Sequence, residues 1–406
     1  MHEPAGDGPA RRLGAAVVGL GGAVATTAVA GVELLRLGSC GPEGLPLAAR
    51  GDLVPYDALV FGGWDVSADD LAKAAHLHGV LDPAQIEAVA PRMQQLRPWP
   101  AVADPAYCRG VTGANVTTAG TPRERAERIR ADLRGFRTEQ GLDTVVVVNL
   151  ASTERRPDPA APALASPEAF EEALDRGDEA VTPAMVYAYA ALREGMPYVN
   201  FTPSVGADAP ALTELAERLG VPVAGKDGKT GQTLLKTVLA PALRSRALRV
   251  EGWYSTNLLG NRDGRALEDP DSLASKTATK GAALDALLGY PVEDHLVRIE
   301  YYRPRGDRKE AWDNVDLVGF LGHRMQLKID FLCRDSVLAA PLVLELVRLL
   351  AEARRRGERG PQEQFGFFFK APATRDGRVP EHALHRQERR LLEWLDRTGA
   401  PEVVRP

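Results

Sequence analysis

Residues 10–35, ARRLGAAVVGLGGAVATTAVAGVELL, constrain the fold most, because they admit two incompatible readings. An apolar run ending in Ala28-Val29-Ala30 has the form of an export signal with its cleavage site. Read instead as strand, turn and helix, Leu13 to Val18 is a short buried strand, Gly19, Gly21 and Gly22 make the turn, and Ala23 to Leu35 is the helix. Glycines in such a turn let backbone approach a pyrophosphate, whose charge is met by unpaired N–H groups at the helix start. The pattern G-x-G-G-x-x-A is close to the dinucleotide fingerprint without matching it, so this stretch alone leaves both readings open.

The downstream chain repeats the strand-to-helix plan. Asp57 to Phe61 reads as a strand leading through Gly62-Gly63-Trp64 to Asp65, an acid placed either to bind ribose hydroxyls or to cap a helix. Residues 97–107 are a proline-rich connection, and Pro122 to Arg137 reads as a charged surface helix. TVVVVNL (144–150) has the continuous apolar character of a strand buried on both faces, and 151–168 is then a loop at its C-terminal end. Two more units follow at 184–204 and 221–243, which predicts an α/β fold with a doubly wound parallel sheet. Beyond about residue 245 the period changes. Val297, Ile299 and Tyr301 alternate with Arg298, Glu300 and Tyr302, and Leu327, Ile329, Phe331 and Cys333 alternate with polar neighbours, predicting a second, mixed or antiparallel sheet. Ser336 to Arg355 follows as a long apolar helix.

Charge and composition exclude several classes. A formal net charge of -5 over 406 residues argues against a nucleic-acid partner. The one long apolar stretch is studded with glycine and lacks interfacial aromatic anchors, which argues against a membrane span. Three widely spaced cysteines fit reduced thiols in a cytoplasm, and none of the seven histidines has metal-ligand spacing, so no metal is expected.

The chemistry concentrates in GKDGKTGQT (225–233). It is not a nucleoside triphosphatase loop, because Val223 stands where that motif needs its first glycine. What remains is an anion cradle in which Thr230, Gly231, Gln232 and Thr233 open a helix and can hold a phosphate ester. Lys276 and Lys280 share a helical face, where their charges repel unless an anion bridges them. Lys309 lies in GDRKEAWDN, and Lys370 follows three phenylalanines, which suggests a desolvated ammonium. Without metal ligands or a nucleophile triad, these lysines point to chemistry on a phosphorylated, carbonyl-bearing substrate, with ammonium groups stabilising oxyanions.

GLGGAVATTAVAG, VFGGWDVS, ASTE, GKDGKTGQTLLKTVLAP, NLLGNRDG, SKTATK, KEAWDN and CRDSVLAAP occur in this order, and together resemble the inositol-phosphate synthases over about residues 12–372. The resemblance resolves the opening stretch in favour of the cofactor turn. It implies NAD as cofactor, a hexose 6-phosphate as substrate, a cytoplasmic homotetramer, and a cycle of oxidation at C5, enolisation, aldol closure of C6 on C1, and reduction.

Carried over by position, Gly19, Gly21, Gly22 and Ala23 hold the pyrophosphate and Asp65 the adenosine ribose, while Ala151, Ser152, Asp227 and Asp335 line the cofactor. Thr230, Gly231, Gln232, Thr233, Asn261 and Lys280 hold the phosphate. Lys229, Lys276, Lys309 and Lys370 surround the reacting oxygens, with Asp263 orienting one of them. The implied domains are an NAD-binding unit at 11–240, a catalytic and tetramerisation unit at 241–341, and a segment at 342–406 that returns to the first. Phe201-Thr202, Leu258, Arg262 and Thr277 depart from common family residues. Such loops are expected to shape the pocket, so a cyclase of fructose 6-phosphate forming a five-membered ring is the same-fold alternative.

Overall fold

The computed structural model describes residues 12–108, 111–117, 120–260, 281–375 and 377–397. In chain order its first half comprises β1 (Leu13–Val18), α1 (Ala23–Arg36), β2 (Leu59–Asp65), α2 (Leu71–His78), α3 (Pro83–Met93), β3 (Trp99–Pro100), α4 (Pro122–Glu139), β4 (Thr144–Asn149), α5 (Pro167–Arg176), α6 (Pro183–Arg193), β5 (Tyr198–Asn200), α7 (Pro210–Leu219) and β6 (Pro222–Gly225). Helix starts follow local chemistry. Thr121 and Glu124 form a reciprocal capping box ahead of α4, and Ser166 and Thr182 cap α5 and α6, each just before a proline.

Helix α8 (Gly231–Ser245) leads into the second half: β7 (Arg249–Leu259), α9 (Gly281–Leu288), β8 (Asp294–Tyr301), β9 (Arg308–Val318), β10 (Arg324–Arg334), α10 (Asp335–Arg355), β11 (Gly360–Pro361) and α11 (Leu384–Asp396). The first sheet has seven strands in the order β11-β6-β5-β4-β1-β2-β3, all parallel. Its order reverses between β1 and β4, the switch point outside which doubly wound sheets bind ligands.

Strand parity explains why β4 is apolar throughout. Val146 and Val148 enter one core with α1 and α10, whereas Val145 and Val147 enter the other with α4 to α7. The long helix α10 therefore covers the first sheet, and it runs unbroken through residue 341. The second sheet, β10-β9-β7-β8, is mixed: β7 and β8 run parallel, and the other pairs are antiparallel. One face packs Val250, Trp253, Val315 and Leu317 against Ala240, Leu243, Leu284 and Leu287 of α8 and α9. The other face leaves Tyr254, Leu296, Trp312 and Leu332 exposed.

The second strand differs from expectation. Tyr56–Ala58 is a helical turn, and the strand begins at Leu59 and carries Gly62 and Gly63 inside it. The cause is close approach. Gly63 pairs with Val17 at φ +149°, and a Cβ there would lie 2.0 Å from the Val17 carbonyl oxygen. A Cβ on Gly31 of α1, by contrast, meets nothing within 4 Å. Gly63→Ala should lose at least about 2 kcal/mol in denaturant unfolding, whereas Gly31→Ala should gain about 0.5–1 kcal/mol. Equal midpoints for the two variants would remove this account of β2.

Candidate active site

At the C-terminal edge of the first sheet, the turn after β1 is fixed by its backbone. Gly19 N and Leu20 N donate to Trp64 O at 2.8 and 3.0 Å, and Gly19 takes φ +87°. Asp65, the last residue of β2, accepts from Gly21 N at 2.9 Å through Oδ2 and from Ser67 N at 2.9 Å through Oδ1. The side chain of His78 reaches the same turn, with Nε2 2.8 Å from Gly21 O. Gly22 precedes α1 without a side-chain cap, so the first N–H groups of the helix are open to an anion. Ala151 and Ser152 leave β4 beside this turn, where a Cβ on Gly19 would come within 3.2 Å of Ala151 N. These residues fit a dinucleotide: the glycine positions keep the cradle free of side chains, and each Asp65 oxygen retains a lone pair for a ribose hydroxyl.

Helix α8 starts at the same edge and is also uncapped. Thr230 Oγ1 is turned away from the helix and donates to Asp335 Oδ1 at 2.9 Å. Lys309, from β9, lies 3.5 Å from both Asp335 oxygens, and a Cβ on Gly231 would sit 3.5 Å from its Nζ. Lys370 approaches from the other side, held by Asp227 Oδ1 at 2.7 Å. Asp227 is buried at φ +60°, and its Oδ2 has no hydrogen-bond partner among the described residues. Lys309, Lys370, Thr230, Thr233, Asn257 and Ile299 line one cleft over the first turn of α8. Two ammonium groups and an open helix N-terminus thus converge where an anion would sit.

Four of the residues expected at the site, Asn261, Asp263, Lys276 and Lys280, lie outside the described residues. Two others are placed differently from expectation. Lys229 does not join Lys309 and Lys370: its Nζ is buried against Gln387 Oε1 of α11, 5.9 Å from the Phe367 ring. The adjoining backbone forces this, because Lys229 N donates to Phe368 O and turns the side chain toward the C-terminal segment. Gln232 lies at the cleft but spends its side-chain amide inside the protein, on Asp313 and Asn257, leaving its backbone N–H for a ligand. Burial pushes Lys229 down to about 7, while Lys370, its side chain only 10% exposed, is paired with Asp227.

The sequence reading also passed over Lys236, His295, Asn257 and Asp313. Lys236 Nζ lies 2.8 Å from His295 Nε2, and burial lowers its pKa to about 8. A signal for Asp313 existed: with Lys309, Ala311, Val315 and Leu317 it shares the inward parity of β9.

The family described as Myo-inositol-1-phosphate synthase, whose model is named for NAD binding, matches residues 43–396. The chain belongs to this family. Inositol-3-phosphate synthase 1 of Bacteroides thetaiotaomicron is 40% identical over 407 residues, spanning 95% of both chains. The protein named inositol-3-phosphate synthase 1 in Oryza sativa subsp. japonica is 31% identical over 433 residues, covering 94% of this chain and 84% of that one. The crystal structure of inositol-3-phosphate synthase from Caenorhabditis elegans matches with a TM-score of 0.89 at 28% identity, over 95% of this chain and 85% of that one.

In this member of the synthase family, the departures that fall on described residues do not line the cleft. Leu258 has the outward parity of β7, opposite Glu310 and Glu300. Phe201 packs over Gly228, where a Cβ would meet its ring at 2.1 Å, and Thr202 closes a buried turn with Asn200 and Ser204. Arg262 and Thr277 are outside the described residues.

Lys229 gives a test with a defined sign. Its pKa is about 7 folded against an ordinary 10.5, so the folded chain binds fewer protons between those values. Its contribution to stability is complete above 10.5 and lost as pH falls through 7. Urea unfolding at pH 7 and pH 9 should show the wild type gaining on Lys229→Met by up to about 1.4 kcal/mol per pH unit. Parallel stability curves would remove the buried amine from the account.

Proposed function

We propose that this chain is an NAD-dependent cyclase that converts glucose 6-phosphate to a myo-inositol phosphate with no net redox change. The observation that carries this reading is the convergence of Lys309, Lys370 and the uncapped start of α8 in one cleft, at the edge that also bears the glycine turn and Asp65. The backbone N–H groups of residues 231–233, with Lys309 above them, hold the phosphate dianion. Gly19, Gly21, Gly22, Ala23 and Asp65, with Ala151 and Ser152 alongside, would hold NAD, which would supply hydride removal from C5 and its return.

A ketone at C5 acidifies C6, and closure of C6 on the C1 aldehyde builds negative charge first on O5 and then on O1. Lys309 and Lys370 present ammonium groups to those oxygens, in a cleft where preorganised charge acts with little competition from water. Asp227 holds the Lys370 ammonium in place at 2.7 Å, and its second oxygen has no hydrogen-bond partner among the described residues. Asp335 holds Lys309, 3.5 Å from both of its oxygens, and also orients Thr230. Because hydride would leave C5 and return to C5, the reaction has no net redox change.

The protein acts as a homotetramer in this reading. The outer face of the second sheet supports it, since Tyr254, Leu296, Trp312 and Leu332 stand exposed there among charged residues, and a second copy would cover them.

Purified protein given NAD+ and glucose 6-phosphate should yield inositol phosphate by NMR without lasting absorbance at 340 nm; stoichiometric NADH would sink the cyclase reading. Lys370→Met should lower kcat at least about a hundredfold, the scale of a positioned acid or base. Light scattering should give four copies, and Trp312→Glu should shift the mass downward. An unchanged mass would move the interface elsewhere.

A further inference from the structure

A chain of buried amides leads from the core of the second sheet to the cleft. Asp313, on the inward face of β9, receives three donors: Trp253 Nε1 at 2.7 Å and Ser255 Oγ at 2.6 Å on Oδ1, and Gln232 Nε2 at 3.1 Å on Oδ2. Gln232 Nε2 also points at the Trp312 carbonyl, 3.2 Å away. Gln232 Oε1 in turn accepts from Asn257 Nδ2 at 2.6 Å. Asn257 lines the cleft, and its Oδ1 is buried with no hydrogen-bond partner among the described residues. Lys236 places a positive charge near the carboxylate.

An amide side chain has two ends of opposite character, and its neighbours decide which end points where. A carboxylate and a carbonyl around one end of Gln232 admit only its NH2 there. Its oxygen must then face Asn257, so the NH2 of Asn257 faces Gln232 and its oxygen is left over. We propose that Asp313 is a positioning residue that sets this polarity, so that Asn257 presents an acceptor to a hydroxyl of the sugar phosphate. A bare acceptor repels a phosphate dianion and welcomes a hydroxyl, which gives the relay a part separate from the phosphate cradle at α8. The inference rests on the sugar-phosphate reading of the cleft.

The test measures binding, so it stays informative whether or not the chain cyclises glucose 6-phosphate. Glucitol 6-phosphate, which has no aldehyde to close, and inorganic phosphate are titrated calorimetrically into the NAD+-loaded protein. Asp313→Asn should weaken glucitol 6-phosphate at least about tenfold and leave inorganic phosphate within about twofold, the difference being one mispaired hydrogen bond. In the double variant Asp313→Asn with Gln232→Glu, the new Asn donates to the new carboxylate, which again accepts from Asn257. It should recover part of the lost affinity, short of the wild type because the new carboxylate also meets the Trp312 carbonyl, whereas Gln232→Glu alone sets its carboxylate against that of Asp313 and should recover none. Should Asp313→Asn fail to fold, the comparison of Gln232→Glu with the double variant reads the same polarity. Equal weakening of both ligands, or a double variant no better than Gln232→Glu, would overturn the relay.

Discussion

The uncapped first turn of α8 is the constraint on which both halves of the molecule depend. The free N–H groups at a helix start must be met by something, and here the N-cap hydroxyl is turned onto Asp335 instead. The same helix buries Ala240 and Leu243 against the second sheet, so one element starts at the edge of one sheet and forms the floor of the other. Lys309 from β9 and Lys370 from the C-terminal segment meet over this same turn, which brings together three stretches far apart in sequence.

Four lysines near this turn have different partners and different chemistry. Lys309 and Lys370 each keep a carboxylate nearby and stay at the cleft. Lys229 and Lys236 are desolvated and face Gln387 and His295. Sequence spacing puts Lys229 directly beside the phosphate loop, yet a side chain next to a loop can point to either side of it. The backbone bond to Phe368, made more than a hundred residues away, settles the direction.

Much of the architecture was nonetheless legible, because it follows from local periodicity. The strand at 13–18, the helix after the glycine turn and the buried strand at 144–149 fall within a residue or two of their apolar runs. The alternation at 295–301 and 327–333 survives as half-exposed strands. The strand at β2 was expected from Asp57, but Tyr56–Ala58 forms a helical turn and the strand runs from Leu59 to Asp65. The buried polar network was missed altogether. Apart from Gln232, its members are ordinary residues of two strands, and only the pairing of β7 with β9 brings Ser255 and Asp313 face to face.

That pairing makes β9 a wall with a different trade on each side. Lys309, Ala311 and Asp313 look toward the cleft, while Glu310, Trp312 and Asn314 look outward, alternating residue by residue. Substitutions on the outer set can change what the surface meets without altering a single atom of the cleft. The insertion or deletion of one residue ahead of the strand would exchange the two sets wholesale. Descent with change in this part of the chain is therefore free in side-chain identity on one face and rigid in length.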